Sequence, residues 1–289
     1  MDPIFLKIGS FKIGYYGLCY AISFFIGLEL AKKYGVKKGL TKEQVEDYAF
    51  VAMISGLLGG RIYYVLFNYH YYFANPQDII AVWKGGMAIH GGILGGIIGT
   101  FIYGKIKKIN PFLLGDIAAA PLILGQTIGR FGNLANGEIQ GVPTFTPYSI
   151  IFSLKPKFFQ WFSYYNSLPA IDKIKYKELV PWGLVFPITS PAGMEFPNLP
   201  LHPAMLYESA LNFLGFLFIW FYLKNKNYES GTVWWSYIII YSVIRYFVSF
   251  FRAEDLMIWG MRAPQLMSII LIIISIIIIV YLNKNKIKK

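Results

Sequence analysis

The chain has a single cysteine, Cys19, among its 289 residues. One thiol excludes an internal disulfide, a zinc site built from several cysteines and a Cys-x-x-Cys redox pair. Because Cys19 lies in an apolar run, we interpret it as a small buried hydrophobic residue rather than a reactive thiol. Charged residues are also few, at 15% of the chain, whereas about 25% is usual in a soluble domain. The sequence therefore lacks the surface of a water-soluble protein.

Signatures of covalent or metal-assisted catalysis are missing as well. No Ser-His-Asp arrangement, His-Glu-x-x-His motif or pair of carboxylates stands out, so we expect no covalent enzyme intermediate, no bound metal and no cofactor. No small-residue cleavage site follows the first apolar stretch, so we expect no cleavable signal peptide. An enzyme with this inventory would orient two substrates and stabilise a leaving group electrostatically.

Apolar residues dominate instead, at 56% of the chain. A membrane-spanning helix needs roughly 20 mostly apolar residues. Seven segments meet this requirement, at 14–31, 48–68, 87–104, 112–130, 203–223, 231–252 and 264–282. We predict an all-α polytopic membrane protein with about seven transmembrane helices, folded as one domain over residues 1–289. Glycine runs at 56–60 and 91–99 predict faces where two of these helices pack closely.

The positions of the lysines predict how the chain is oriented across the membrane. The net charge is +12, but the positive residues form short runs between apolar segments, which is typical of topology signals and not of a nucleic-acid surface. The runs are Lys32, Lys33, Lys37, Lys38 and Lys42; Lys105, Lys107 and Lys108; Lys224 and Lys226; and Lys284, Lys286, Lys288 and Lys289. The positive-inside rule places all four in the cytoplasm, with the N-terminus outside and the C-terminus inside. The aromatic-rich connection 131–202, between helices four and five, is then an extracytoplasmic cap of short strands that touches the membrane surface.

With this topology, polar residues from six helices fall in the outer half of the bilayer. They are Tyr16, Arg61, His90, Arg130, His202, Tyr207, Glu208 and Arg245. The stretch 125–141 adds Asn133, Asn136 and Glu138 just past the fourth helix. Polar groups inside a membrane are rare and are interpreted as functional by default. We predict one polar cavity that faces the outer leaflet.

The charges predict what this cavity binds. Arg61, Arg130 and Arg245 outnumber Glu138 and Glu208, so the cavity is net positive. Arginine forks match phosphate oxygens and stay charged in a low dielectric. The pattern therefore indicates an oily substrate that carries a phosphate, with the glutamates neutralising and orienting the arginines. For Arg61, anchoring or packing is an equal alternative.

His90 lies in the sequence GGMAIHGGILGG. An imidazole titrates near neutral pH, so His90 is a candidate general base or proton relay. The alternative is a histidine held by hydrogen bonds at a helix start, and the surrounding glycines lead us to favour the functional role. His202 precedes Pro203 and is interpreted as a structural cap.

These residues resemble the prolipoprotein diacylglyceryl transferase family over nearly the whole chain. The family signature G-R-x-G-N-x-x-N-x-E-x-x-G matches Gly129, Arg130, Gly132, Asn133, Asn136, Glu138 and Gly141. Four shorter motifs also match, at Tyr16-Gly17, Gly59-Gly60-Arg61, His90 to Gly95 and His202 to Glu208. The late R-x-x-x-E-x-x-R pattern matches at Arg245 and Arg252, but Ser249 stands where the family often has glutamate.

The resemblance implies a seven-helix enzyme of the bacterial inner membrane. It would transfer the diacylglyceryl group of phosphatidylglycerol to the thiol of the lipobox cysteine in a preprolipoprotein signal peptide, and release glycerol phosphate. The substrate then supplies the nucleophile, which fits an enzyme without a catalytic cysteine. The implied partners are phosphatidylglycerol, the preprolipoprotein and the lipid bilayer, with no nucleic acid.

On this hypothesis Arg130 and Arg245 bind the phosphate, Tyr16 orients the headgroup, and His90 deprotonates the thiol or positions the lipid. The expected substrate-binding residues are Arg61, Arg130, Asn133, Asn136, Glu138, Gly141, Tyr207 and Glu208.

Two alternatives from other classes remain. A transporter of an anionic solute predicts polar residues in both halves of the membrane or an inverted repeat, and the sequence shows neither. A phospholipid-binding receptor without chemistry would use the same residues, and glycerol phosphate release distinguishes it from the enzyme.

Overall fold

The computed structural model describes residues 3–9, 11–155, 157–253 and 256–287, and most of them are helical. The α-helices in chain order are α1 (Tyr15–Lys37), α2 (Lys42–Phe67), α3 (Tyr69–Ala74), α4 (Ile89–Lys107), α5 (Pro111–Asn136), α6 (Tyr148–Ile151), α7 (Phe158–Ser167), α8 (Ala170–Lys173), α9 (Pro191–Glu195), α10 (Ala204–Phe221), α11 (Thr232–Val248) and α12 (Ala263–Ile287). Two antiparallel hairpins pair β1 (Ile4–Ile8) with β2 (Phe11–Gly14) and β3 (Met257–Ile258) with β4 (Met261–Arg262).

Six helices within the described residues are long and apolar enough to cross a membrane, namely α2, α4, α5, α10, α11 and α12. This confirms the prediction of an all-α polytopic membrane protein. The first predicted segment also forms a helix, α1, whose 23 residues would span about 35 Å at 1.5 Å per residue. It is not among the six, and its C-terminal half contains Glu29, Lys32, Lys33 and Lys37. The count of seven spans stays a prediction.

The chain divides into two compact units, one of residues Leu28–Ala119 and one of Met1–Gly27 with Ala120–Lys289. In the Leu28–Ala119 unit, α2 begins at a capping box in which Gln44 N–H donates to Thr41 Oγ1 (3.1 Å) and Thr41 N–H donates to Gln44 Oε1 (2.9 Å). Such a cap satisfies backbone donors that the first turn leaves unpaired.

Glycines hold α2 and α4 together, as predicted. A Cβ atom on Gly91 would meet Gly59 O, and one on Gly95 would meet Ser55 O. Backbones that approach this closely leave no room for a side chain, which is how small residues allow membrane helices to associate.

The second unit contains the segment that was predicted as a cap of strands, and two details of that prediction are wrong. Helix α5 continues past Arg130 to Asn136, so the cap, as we use the term below, is residues 137–202. The described part of the cap has four short helices, α6 to α9, and isolated β-bridges such as Pro143–Leu201 and Leu184–Leu201 in place of strands.

The cap has its own hydrophobic core, which accounts for much of its aromatic content. Phe158, Trp161, Phe186 and Phe196 are buried in it. These rings share one hydrophobic cluster with Met205 of α10 and with Phe250. Contact of the cap with the membrane surface stays a prediction. At the base of the cap, the C-terminal end of α5 contacts Tyr16 of α1 and Glu208 of α10, which are two of the predicted polar residues.

Candidate active site

Arg130, near the end of α5, is the centre of a polar cluster. Its Nη2 forms an ion pair with Glu208 Oε1 of α10, and its Nη1 donates to Asn133 Oδ1 at 3.1 Å. Arg130 and Asn133 are three residues apart on α5 and therefore share a helix face. Glu208 is fully buried. A buried carboxylate needs a charged, hydrogen-bonded partner to stay ionised, so the pair fixes the position of the Arg130 guanidinium.

Tyr16 of α1 continues the cluster from the other side. Asn133 Nδ2 donates to the Tyr16 hydroxyl, which itself donates to Glu138 Oε2 at 3.1 Å. Asn136 Nδ2 donates to the other oxygen of Glu138, at 3.4 Å. The side chains of Glu208, Arg130, Asn133, Tyr16, Glu138 and Asn136 thus form one hydrogen-bonded chain, which we call the polar chain.

Two glycines make this arrangement sterically possible. A Cβ on Gly132 would lie 2.9 Å from the ring of Tyr16, so the absence of a side chain lets the phenol lie against α5. Gly137 ends the helix with φ +65°, and a Cβ there would lie 2.5 Å from Ser190 Cβ. The turn directs Glu138 back toward the helix end, where its N–H donates to Asn133 O at 3.0 Å. Positive φ is unstrained only in glycine.

Arg245 and Tyr241 of α11 belong to the same neighbourhood. Tyr241 experiences the charges of Glu208, Arg130 and Arg245. The sequence analysis predicted Arg245 but missed Tyr241, because a tyrosine in an apolar helix carries no motif of its own. The charges that act on Tyr241 come from three guanidinium groups, those of Arg130, Arg245 and Arg252, and from the Glu208 carboxylate, so this part of the site carries a net positive charge.

Gly141, His202 and Tyr207 lie where the cap joins α10. Gly141 N–H donates to His202 O at 3.0 Å, and a Cβ on Gly141 would collide with that same oxygen. The Tyr207 hydroxyl lies 3.0 Å from His202 Nδ1 and accepts from Trp182 Nε1 at 2.8 Å. Burial lowers the pKa of His202 to about 4, so its ring is neutral at physiological pH. The prediction that His202 caps α10 is wrong, because the N-cap is Pro203 with no side-chain cap hydrogen bond and the His202 ring pairs with Tyr207 instead. Substrate binding by Gly141 and Tyr207 stays a prediction.

Arg61 and His90 belong to the Leu28–Ala119 unit. Arg61 is buried, and its guanidinium donates to backbone carbonyls of the connection between α3 and α4. His90 is exposed in the first turn of α4, with its ring centroid 6.3 Å from that of Tyr63. The structure thus gives Arg61 a set of partners that its sequence context did not reveal.

A small polar cleft adjoins the end of the polar chain. It measures about 320 Å³ and is lined by Glu138, Ile139, Gln140, Pro191, Glu195 and Arg252. Gln140 Nε2 donates to Glu195 Oε2 at 2.6 Å across 55 residues of sequence. Sequence reasoning missed Gln140 and Glu195, since only the folding of the cap brings them together. Within the described residues no group of three His, Cys, Asp or Glu side chains is placed to hold a metal ion.

Comparison with known proteins gives a consistent result. The chain matches a family model described as prolipoprotein diacylglyceryl transferase over residues 3–281. A protein of Fusobacterium nucleatum subsp. nucleatum named phosphatidylglycerol--prolipoprotein diacylglyceryl transferase is 62% identical over 286 residues, which cover 99% of each chain. Proteins of the same name from Staphylococcus aureus and Staphylococcus haemolyticus are 34% and 35% identical over 282 residues, which cover 97% of this chain and 89% and 88% of theirs.

Proposed function

The chain belongs to the prolipoprotein diacylglyceryl transferase family, and we propose that it transfers the diacylglyceryl group of phosphatidylglycerol to a prolipoprotein. Membership over nearly the whole chain supports the reaction and its two substrates. The observation that supports the location of the site is the polar chain itself. Residues far apart in sequence, from Tyr16 to Glu208, are joined there around one arginine.

The reaction forms one bond and breaks one. The sulfur of the lipobox cysteine attacks the glyceryl carbon that bears the phosphate, and a C–S thioether forms as the C–O bond to the phosphate breaks. Glycerol phosphate leaves with the electron pair of that bond. The thiol proton is lost to a base, because the thiolate is the competent nucleophile.

Arg130 is suited to hold the phosphate in this step. One N–H donor of its guanidinium is engaged by Glu208 and another by Asn133, while its Nε has no hydrogen-bond partner among the described residues. A guanidinium held in place by a buried carboxylate needs no reorganisation when negative charge develops on the leaving group. In this proposal the Arg245 guanidinium provides a second positive charge beside the phosphate. The same charge lowers the pKa of the incoming thiol.

Tyr16, Asn133, Asn136 and Glu138 would orient the headgroup. Their hydrogen bonds to one another fix the direction of each donor and acceptor before substrate arrives, and such preorganisation lowers the entropy lost in reaching the transition state. His90 would take the thiol proton, and its alternative role is to position the lipid. If His90 is the base, His90→Ala loses activity but keeps phosphatidylglycerol binding, and retained turnover excludes the assignment.

The enzyme would act in the bacterial cytoplasmic (inner) membrane, with the N-terminus and the cap outside. Three lysine-rich connections and the lysine-rich C-terminal end, which this orientation places together in the cytoplasm, support it. A site near the outer leaflet is where a translocated signal peptide presents its cysteine.

The test uses purified protein in detergent with phosphatidylglycerol and a synthetic lipobox peptide, and compares wild type with Arg130→Ala. We expect the wild type to add a diacylglyceryl mass to the peptide and to release glycerol phosphate, and the variant to do neither. No mass gain by the wild type with phosphatidylglycerol still bound would indicate a receptor, and loss of both would leave anion transport as the function.

A further inference from the structure

The connection between α3 and α4 is the part of the Leu28–Ala119 unit that leads into His90. It contains two short 3-10 turns, Pro76–Asp78 and Val82–Lys84, followed by two glycines with positive φ, Gly85 and Gly86. We call residues 76–88 the pre-His90 loop. Its own backbone hydrogen bonds are local, such as Ile79 N–H to Pro76 O and Gly85 N–H to Val82 O, and join residues two or three apart. They form the turns but do not attach the loop to α2.

Arg61 of α2 attaches the loop to its helix. Its Nε donates to Ile79 O (2.8 Å), its Nη1 to Gly85 O (2.6 Å) and Gly86 O (2.7 Å), and its Nη2 to Asp78 O (2.5 Å) and Ala81 O (3.4 Å). A guanidinium has five N–H donors, so five carbonyl oxygens of one loop account for all of them. The side chain is 6% exposed, and the ring of Tyr72 lies 5.3 Å from the guanidinium carbon.

The loop fits this arginine closely. A Cβ on Gly86 would lie 2.8 Å from Arg61 Nη1 and 2.6 Å from the ring of Tyr64. The residue next to Arg61 takes part as well, because Ala88 N–H donates to Gly60 O at 3.0 Å. Gly60 and Arg61 therefore hold the loop from Asp78 to Ala88, and His90 follows only two residues later.

We infer that Arg61 is a positioning residue: it folds the pre-His90 loop and so sets where His90 stands for the transfer reaction. The inference rests on the proposed function for the role of His90, but the loop itself can be measured without turnover. It replaces phosphate binding as the role of Arg61, since a guanidinium that already serves five carbonyls has no N–H left for a phosphate.

The first experiment measures the loop directly. Trp83 is 77% exposed within it, so a nitroxide label on Trp83→Cys, in a Cys19→Ala background, reports its motion by electron paramagnetic resonance. We expect restricted motion in the otherwise wild-type protein and faster motion in Arg61→Lys, because lysine keeps the charge but cannot reach five carbonyls. Arg262→Lys is the matched control, a buried arginine that donates to Ser153 O in the other unit. Unchanged label motion in Arg61→Lys would overturn the inference.

A second variant changes the loop instead of Arg61. It keeps the inference testable if the Arg61 variant misfolds. Gly86→Ala forces a Cβ against the guanidinium. We expect it to increase the motion of the nitroxide label, as Arg61→Lys does. Gly39→Ala is its control, since Gly39 also has positive φ (+89°) but has open space around its Cβ position. If the label moves as little in Gly86→Ala as it does in Gly39→Ala, that result would count against the inference.

The kinetic test separates positioning from substrate binding. A base displaced by about 1 Å can lose on the order of 100-fold in rate, so we expect kcat of Arg61→Lys to fall about 10–100-fold while KM for phosphatidylglycerol stays near that of the wild type. Because Arg61 acts through His90, the double variant Arg61→Lys/His90→Ala should be no slower than His90→Ala alone. If the rate losses of the two single variants multiply in the double variant, or if KM rises while kcat is unchanged, then Arg61 contacts substrate instead.

Discussion

The hydroxyl of Tyr16 both accepts and donates within the polar chain, and it does so through a single oxygen atom. It accepts from Asn133 Nδ2 and donates to Glu138 Oε2. A hydroxyl can do both at once, whereas an ammonium can only donate and a carboxylate can only accept. Removing it would break the polar chain between its Arg130 half and its Glu138 half without changing the shape of the side chain.

We therefore predict that Tyr16→Phe lowers the rate of diacylglyceryl transfer about 10–100-fold, which corresponds to about 1.4–2.7 kcal/mol of transition-state stabilisation. The measurement is peptide mass gain with time in detergent. Tyr20→Phe is the matched control, because Tyr20 stacks on Tyr16 with ring centroids 5.9 Å apart but is 66% exposed. Equal rates for Tyr16→Phe and wild type would exclude a role for the hydroxyl.

The lowered pKa of His202 predicts how the stability of the protein depends on pH. Burial lowers the pKa of its ring to about 4, below the ordinary value of about 6.5. The unfolded chain therefore takes up a proton below pH 6.5 while the folded chain does not, and stability falls as the pH drops from about 6.5 toward 4. We expect a loss on the order of 1–2 kcal/mol between pH 7 and pH 5. Unfolding temperatures in detergent measure this loss, and His202→Gln should remove much of the difference between the two pH values.

At the scale of elements, the sequence predicted which helices exist better than where they end. Segment 112–130 was predicted to stop at Arg130, but α5 continues to Asn136. Asparagine and glycine usually favour turns, so the run after Arg130 looked like a loop. The helix persists because the Asn133 side chain is bonded to both Arg130 and Tyr16. This tertiary contact cannot be read from local propensity.

Helix α7 shows a signal that was present and was missed. Phe158, Trp161, Phe162 and Tyr165 follow the i, i+3, i+4, i+7 spacing of an amphipathic helix, and all four belong to the core of the cap or pack against it. Other aromatic residues between them, such as Phe159 and Tyr164, hid the pattern because they are equally hydrophobic and yet exposed. The partners in the polar chain were still harder to predict from the sequence, since Arg130 and Glu208 are 78 residues apart.

The glycine face between α2 and α4 provides a test at this scale. A Cβ on Gly95 would meet the backbone oxygen of Ser55, whereas one on Gly96 would find its nearest neighbour, Ala52 O, at 3.9 Å. We predict that Gly95→Ala lowers the free energy of unfolding by about 1–3 kcal/mol through overpacking, and that Gly96→Ala leaves it nearly unchanged. Thermal unfolding of the two purified variants in detergent measures this difference. Equal stability would mean that α2 and α4 can separate at this face without loss.

At the scale of the whole molecule, two helices belong to both compact units. Helix α1 (Tyr15–Lys37) crosses the boundary at Gly27, and α5 (Pro111–Asn136) crosses it at Ala120. Within the second unit they are close at this boundary, where a Cβ on Gly27 would lie 3.3 Å from Pro121 Cβ. The position of α1 in the membrane therefore matters for the whole chain, and it decides between six spans and seven.

The two counts predict different sides for the N-terminus. With seven spans, the N-terminal hairpin and the cap lie outside, and the end of α1 lies inside; if α1 does not span, both of its ends lie on one side. Single cysteines at Phe5, Val36 and Ile171, all exposed, can be labelled on intact cells with a membrane-impermeant thiol reagent in a Cys19→Ala background. We expect Phe5→Cys and Ile171→Cys to react and Val36→Cys to react only after permeabilisation, because the lysines beside Val36 favour the cytoplasm. Protection of Phe5→Cys together with Val36→Cys would leave α1 on the cytoplasmic side. Tyr16, the second residue of α1, would then lie on the cytoplasmic side as well, and a translocated cysteine could not reach the polar chain from outside.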